Sequence, residues 1–196
     1  MLYVDFHTHQ VPGRQDVVAV VDGRDTWGVH PWRADAEFVV PDLSTRLAIG
    51  ECGLDALRGP AMEVQEAVFV RQVRLSEELG KPLIIHCVKA LDRLLRLRRE
   101  HPCQPWMLHG FRGKPQQLRS LIDAGLFVGF GYQHNEESLR ICPASRLLLE
   151  TDTDHVQDIA HLYENAARER GLEVTELAKM MLENYRTFFR KEPNQT

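Results

Sequence analysis

Two histidines two residues apart, His7 and His9 in "VDFHTHQ", follow the first apolar stretch of the chain. The same placement recurs: Glu51 follows "LAIG", His86 follows "PLII", His109 follows "WML", and Asp152 closes "RLLLETD". Four imidazoles and two carboxylates suit one or two divalent ions. Mixed nitrogen and oxygen donors favour zinc, manganese, iron or cobalt, and a pure magnesium site usually takes more oxygen. The expected cofactor is one or two divalent metal ions, zinc, manganese or magnesium. A carboxylate can bridge two ions, and Glu51, on a central strand, is the natural bridge. Two ions about 3.5–4 Å apart acidify a shared water and clamp the oxygens of an in-line displacement. A carboxylate beside that water can act as general base, so Asp152 is read as ligand and base, with Glu51 as the second catalytic carboxylate.

Each residue also has a plainer reading. A lone strand-end histidine is often only hydrogen-bonded, Glu51 could form a structural salt bridge, and Asp152 could cap the next helix. These readings are independent of one another. Their joint occurrence at five strand ends favours the metal site.

The elements that must position these side chains are short apolar runs of strand length: Leu2–Phe6, Val17–Val21, Thr26–Val29, Leu47–Gly50, Pro82–Ile85, Trp106–Leu108, Leu126–Phe130 and Arg146–Leu149. Eight is the strand number of a TIM-type barrel. Helical periodicity lies over residues 61–79, 115–124 and 156–170, each followed by a glycine within two residues, and a last helix is expected from Thr175 through Phe189. Strand and helix alternate, which indicates an α/β fold with a parallel sheet. In such folds the carboxyl ends of the strands share one rim, where active sites lie. His7 and His9, at i and i+2, point to the same side.

The first quarter breaks the scheme. Only "QVPGRQD" separates the first two runs, whereas a parallel crossover takes roughly a dozen residues or more. Asp22–Gly23, between runs two and three, is a hairpin signal. The expectation is a (β/α) barrel, trimmed or distorted in its first quarter, that lacks its first two helices. Runs two and three would be antiparallel to each other, or one of them would not be a strand.

With 196 residues, a single domain over 1–196 is expected. The formal net charge of −4 argues against holding nucleic acid by global field alone, so metals or a local patch would have to supply the attraction. Cys52, Cys87, Cys103 and Cys142 form no C-x-x-C pair and fit free thiols in a reducing compartment. No run is long enough to span a membrane, and Asp5, His7 and His9 interrupt any signal-peptide pattern. A cytoplasmic protein without membrane association or an obligate protein partner is expected.

Taken together, the motifs resemble the TatD family of metal-dependent deoxyribonucleases, within the amidohydrolase-like barrels. "DFHTH" resembles its D-x-H-x-H opening, "WGVHPW" its G-[IV]-H-P strand end, and "AIGECGLD" its A-I-G-E-x-G-L-D. "GKPLIIHC" resembles the segment carrying the next histidine, "LHGFRGK" its H-x-F-x-G, "LLLETDT" its E-T-D, and "LENYRTFF" its closing N-x-x-x-[LF]-F. The resemblance runs almost the full length. It implies a barrel with His7, His9 and Asp152 on one metal, His86 and His109 on the other, and Glu51 shared. It also implies hydrolysis of phosphodiesters, most often in DNA, with His30 at the mouth as a substrate or supporting group.

The chain departs from the family pattern at its periphery. The early helices are missing, Val88 then Lys89 stand where an arginine is usual, and no R-N-E-P loop follows the E-T-D. Metal-assisted hydrolysis is therefore expected, with DNA as the first substrate. A small phosphoester, ester or cyclic amide is the alternative, and a non-catalytic metal-binding role is a third. Lys89 and Arg112, with Lys114, are candidate phosphate contacts, or simply solvated loop residues. His155 is a helix-start residue or a second mouth residue. Trp27, Trp32 and Trp106 are read as core or rim packing, with Trp32 the one placed to meet a base at the mouth.

Overall fold

Near-continuous apolar runs such as "VVAVV" are what parallel strands covered on both faces require. In the computed structural model, which describes residues 1–35, 37–153 and 158–193, the runs form eight strands. These are β1 (Tyr3–Thr8), β2 (Val17–Val21), β3 (Thr26–Trp27), β4 (Ala48–Asp55), β5 (Leu83–Val88), β6 (Trp106–Leu108), β7 (Phe127–Phe130) and β8 (Leu147–Leu149). All ladders are parallel: β1 pairs with β2, and β3 to β8 pair in sequence order. A parallel bridge between Thr8 and Asp152 joins β1 to the chain just beyond β8.

The hairpin expected at Asp22–Gly23 does not form. The two strands flanking this turn pair elsewhere, β2 with β1 and β3 with β4, both in parallel. The crossover rule that counted against a parallel link between the first two runs assumes a helix in the connection. An extended chain advances about 3.3 Å per residue, so residues 9–16 can return along so short a strand without one. Arg14 braces this link. Its guanidinium donates to Asp16 at 2.9 and 2.7 Å and to Asp158 at 2.6 Å, and it lies over the Tyr3 ring. The turn itself is held by Asp25, which accepts from the Val21 N–H, and by Asp22, which accepts from the Thr26 hydroxyl.

Six α-helices follow among the described residues: α1 (Met62–Leu79), α2 (Leu91–Glu100), α3 (Pro115–Asp123), α4 (Glu136–Ile141), α5 (Ile159–Arg170) and α6 (Val174–Phe189). The described residues hold no α-helix before β4, only a 3-10 turn at Pro31–Arg33, so the first three connections all lack one. α1 stops at Gly80, whose left-handed φ of 66° suits a residue without a Cβ. α6 begins at Val174 rather than Thr175, because Glu173 and Glu176 form a reciprocal capping box. All four cysteines are free.

With the early helices absent, the last two cover the first strand. Phe6 packs on Tyr185 and Phe189 with ring centroids 6.2 Å apart in both cases. Tyr163 of α5, fully buried, accepts from the Val4 N–H at 3.0 Å and donates to the Val4 carbonyl at 2.9 Å. One apolar cluster runs from Tyr3 to Phe189. Tyr163→Phe leaves two buried backbone groups without partners, so it is expected to cost at least about 1–3 kcal/mol. A lowered urea midpoint at unchanged slope would show this. An unchanged midpoint would mean that the pair contributes nothing.

Candidate metal centre

Glu51 is the hub, and the backbone around it explains how it gets there. Strand β4 continues through Asp55, so Glu51 lies inside the strand rather than after its end. The β4–β5 register shifts between Ile49 and Cys52, an irregularity of the kind that re-aims a side chain. Beyond it, β5 passes so close that a Cβ on Gly53 (φ 138°) would fall 2.0 Å from the His86 carbonyl oxygen, so this strand needs glycine beside its acidic residue.

The two oxygens of Glu51 face two sets of groups. Oε2 lies 3.6 Å from His7 Nε2 and 3.7 Å from His9 Nε2, and the same two nitrogens are 3.6 and 3.4 Å from Asp152 Oδ1. Oε1 lies 2.8 Å from His109 Nε2, 2.9 Å from His86 Nδ1 and 3.1 Å from His30 Nε2. Burial pushes the Glu51 carboxyl upward, but His109, His30 and His7 together hold it well below the usual carboxylate range. His109 shows the converse. Burial alone would lower its imidazole, yet Glu51 and Glu150 hold it well above the ordinary value. Asp152, also pushed up by burial, is held low chiefly by His9.

These residues fit a divalent cation. Three overlapping groups, His7–His109–Asp152, His7–His9–Glu51 and His30–Glu51–His86, each bring donor atoms within 4.8 Å of one another. His7 is fully buried, and neither of its ring nitrogens has a hydrogen-bond partner. Buried polar atoms are costly without partners, and an ion is the partner an imidazole can accept.

All six residues read from the sequence as ligands thus meet in one cluster, and His30 joins them directly. Lys89 and Arg112 are exposed on the loops after β5 and β6, and Arg112 donates to Gln133 at 2.6 Å. His155 lies outside the described residues.

Three supporting carboxylates escaped the sequence reading. Asp55 accepts from His86 at 3.0 Å; it stands four residues beyond Glu51 on the same strand, a spacing that could have revealed it. Asp22, read only as a turn residue, lies 3.9 Å from His9 and accepts from the Glu51 N–H at 3.2 Å. Glu150, fully buried, accepts from the Gly110 N–H and stands 3.6 Å from His109 Nδ1, and its Oε2 has no partner. A Cβ on Gly129 would sit 2.6 Å from that oxygen, so glycine leaves it room. A carboxylate behind an imidazole orients the ring and raises its basicity. Glu150→Gln is therefore expected to weaken metal affinity about 10–100-fold, read by competition against a chelating dye. Wild-type affinity in the variant would show that Glu150 only fills space.

A parallel α/β fold that gathers histidines from four strand ends around one buried glutamate defines a metal-dependent hydrolase of the barrel type. The chain belongs to the family described as TatD related DNase, whose profile matches residues 22–190. The matched span holds Glu51, His86, His109 and Asp152, and His7 and His9 precede it. The 3'-5' ssDNA/RNA exonuclease TatD of Klebsiella pneumoniae is 33% identical over 204 aligned residues, covering 84% of this chain and 76% of that protein. Its counterpart from Shigella flexneri is 30% identical over the same coverage. A crystal structure of a TatD homologue from Escherichia coli superposes with a TM-score of 0.73 at 22% identity, over 91% of this chain and 79% of that one. That likeness speaks for the fold.

Proposed function

We propose that the protein hydrolyses phosphodiesters of single-stranded nucleic acid from the 3' end, using one or two bound zinc, manganese or magnesium ions. The observation that carries this reading is the division of imidazoles between the two oxygens of Glu51. His7, His9 and Asp152 would hold one ion, His86 and His109 the other, and Glu51 both, with His30 beside the second set. Bound there, the metal supplies a water acidified to near neutrality and a positive clamp on the phosphate oxygens. The protein's own groups do the rest. Asp152, partly exposed on the open side of the cluster, takes the proton of the attacking water. Asp55 fixes the ring of His86 by a hydrogen bond, and Glu150 stands behind the ring of His109. Lys89 and Arg112 supply the local positive charge that a chain of net charge −4 needs to attract a polyanion. The names of the relatives support single-stranded DNA or RNA as substrate. No described helix is long and apolar enough to cross a membrane, and the free cysteines agree with a cytoplasmic setting.

The test is cleavage of 5'-labelled single- and double-stranded DNA and RNA by chelator-treated protein, before and after manganese, magnesium or zinc is added. Stepwise 3' shortening of single strands is expected only with metal, and His109→Ala should abolish it. No cleavage with any metal, or cleavage indifferent to that substitution, overturns the reading. The connections without α-helices before β4 favour one second reading, a small phosphoester substrate. Turnover of small phosphoesters with polynucleotides left intact would establish it.

A further inference from the structure

Of the three tryptophans, Trp106 is fully buried and Trp27 packs half-buried on Phe38, but Trp32 is 45% exposed. It is nonetheless fixed. Its indole N–H donates to Asp55 Oδ2 at 2.6 Å, and its backbone N–H donates to His30 Nδ1 at 3.2 Å. Its ring meets His30 and His86 edge-on, with centroids 4.7 and 5.8 Å apart. Asp55 binds Trp32 and His86 through the same oxygen, and its other oxygen accepts from the backbone of Leu57 and Arg58. The Arg58 guanidinium then lies 4.7 Å from the Trp32 ring centroid. An exposed indole held at its N–H, with a cation over its ring and two candidate ligand histidines against it, has the make-up of a stacking platform for a nucleobase.

We propose that Trp32, flanked by Arg58, binds the base of the nucleotide adjoining the scissile phosphate, and that this subsite sets the preference for single strands. The inference rests on the nucleic-acid reading above. The chemistry is sequence-tolerant, because every base offers a π-face. It also discriminates by secondary structure. A base in a duplex is already stacked and must be extruded before it can lie on Trp32, whereas a single-stranded base need not be. Arg58, lying over the Trp32 ring, either backs the indole on the face opposite the base or turns to the neighbouring phosphate.

The experiment is a double cycle. Trp32→Ala and Trp32→Phe are compared with wild type on a single-stranded oligothymidylate and on the same strand with one abasic residue next to the cleaved bond. Trp32→Ala should raise KM on the intact strand by roughly 5- to 150-fold, the range for losing one stacked base. The gap between Trp32→Ala and wild type should close on the abasic strand. Trp32→Phe, which keeps a ring but cannot donate to Asp55, should recover part of the loss and lie between the two. An equal gap on both strands, or a loss in Trp32→Phe as large as in Trp32→Ala, would show that Trp32 acts only by bracing Asp55, and the inference fails. Independently of turnover, oligothymidylate added in excess chelator should quench the fluorescence of the wild type saturably and leave Trp32→Phe unquenched. If wild type cleaves neither strand, the nuclease reading falls, and the presence or absence of this quench decides the stacking inference alone.

Discussion

Replacing Glu51 by glutamine should cost the protein both bound metal and hydrolysis. The carboxylate is 8% exposed and has one oxygen toward His7 and His9, the other toward His30, His86 and His109. An amide of the same shape keeps one acceptor and turns the other into a donor that cannot bind a cation. One half of the cluster therefore loses its anchor, and the negative charge shared by both halves disappears. Activity should fall by more than about 100-fold, the upper end of what removing a group behind a ligand costs. Elemental analysis of the purified variant should show reduced metal per chain. Full metal content together with full activity would mean that Glu51 is not the shared ligand.

The second large effect is expected from Asp152→Asn, and here the backbone makes the substitution clean. Asp152 has a φ of 52°, its N–H donates to the His7 carbonyl, and its own carbonyl accepts from the His9 N–H. Among side chains with a Cβ, asparagine and aspartate tolerate this left-handed conformation best. Asparagine thus preserves the bend and the bridge to β1 and removes only the charge. Loss of a positioned base typically costs 10²–10⁴-fold, and a drop of about that size in kcat is expected with thermal stability unchanged. Asp152→Ala adds backbone strain and should lower stability as well, which separates the two effects. A kcat for Asp152→Asn within a few-fold of wild type would remove Asp152 from the reaction.

Much of the site was legible because strand-end chemistry leaves a simple trace: an apolar run, then a ligand type. That trace found His7, His9, Glu51, His86, His109 and Asp152, although they span most of the chain. It failed for groups that act from behind. Glu150 stands inside "LLLETD", and Asp55 closes "GECGLD", both masked by more conspicuous neighbours. Asp22 was hidden by its Asp-Gly pair, a local turn signal that is correct as a turn but does not determine which strands pair. That choice was made by tertiary packing, which the sequence pattern does not carry. The helices show the same division. α1, α3, α5 and α6 have clear periodicity or a terminal glycine. α2, an arginine-rich helix with only Leu94 and Leu97 deeply buried, and α4, six residues long, give weaker signals. His30 was placed at the mouth but not against Glu51, because the close approach depends on the 3-10 turn that follows it.

The cover over β1 has a consequence for the order of assembly. His7 and His9 lie far ahead of α5 and α6 along the chain, yet the surfaces that fix their strand belong to those two helices, and the bridge that aligns it lies at Asp152. Contacts between such distant parts of a chain form late, because loop closure must come first. Until those contacts form, the strand that positions the two histidines lacks its cover. Assembly of the complete candidate ligand cluster is therefore expected to be a late event of folding rather than its seed.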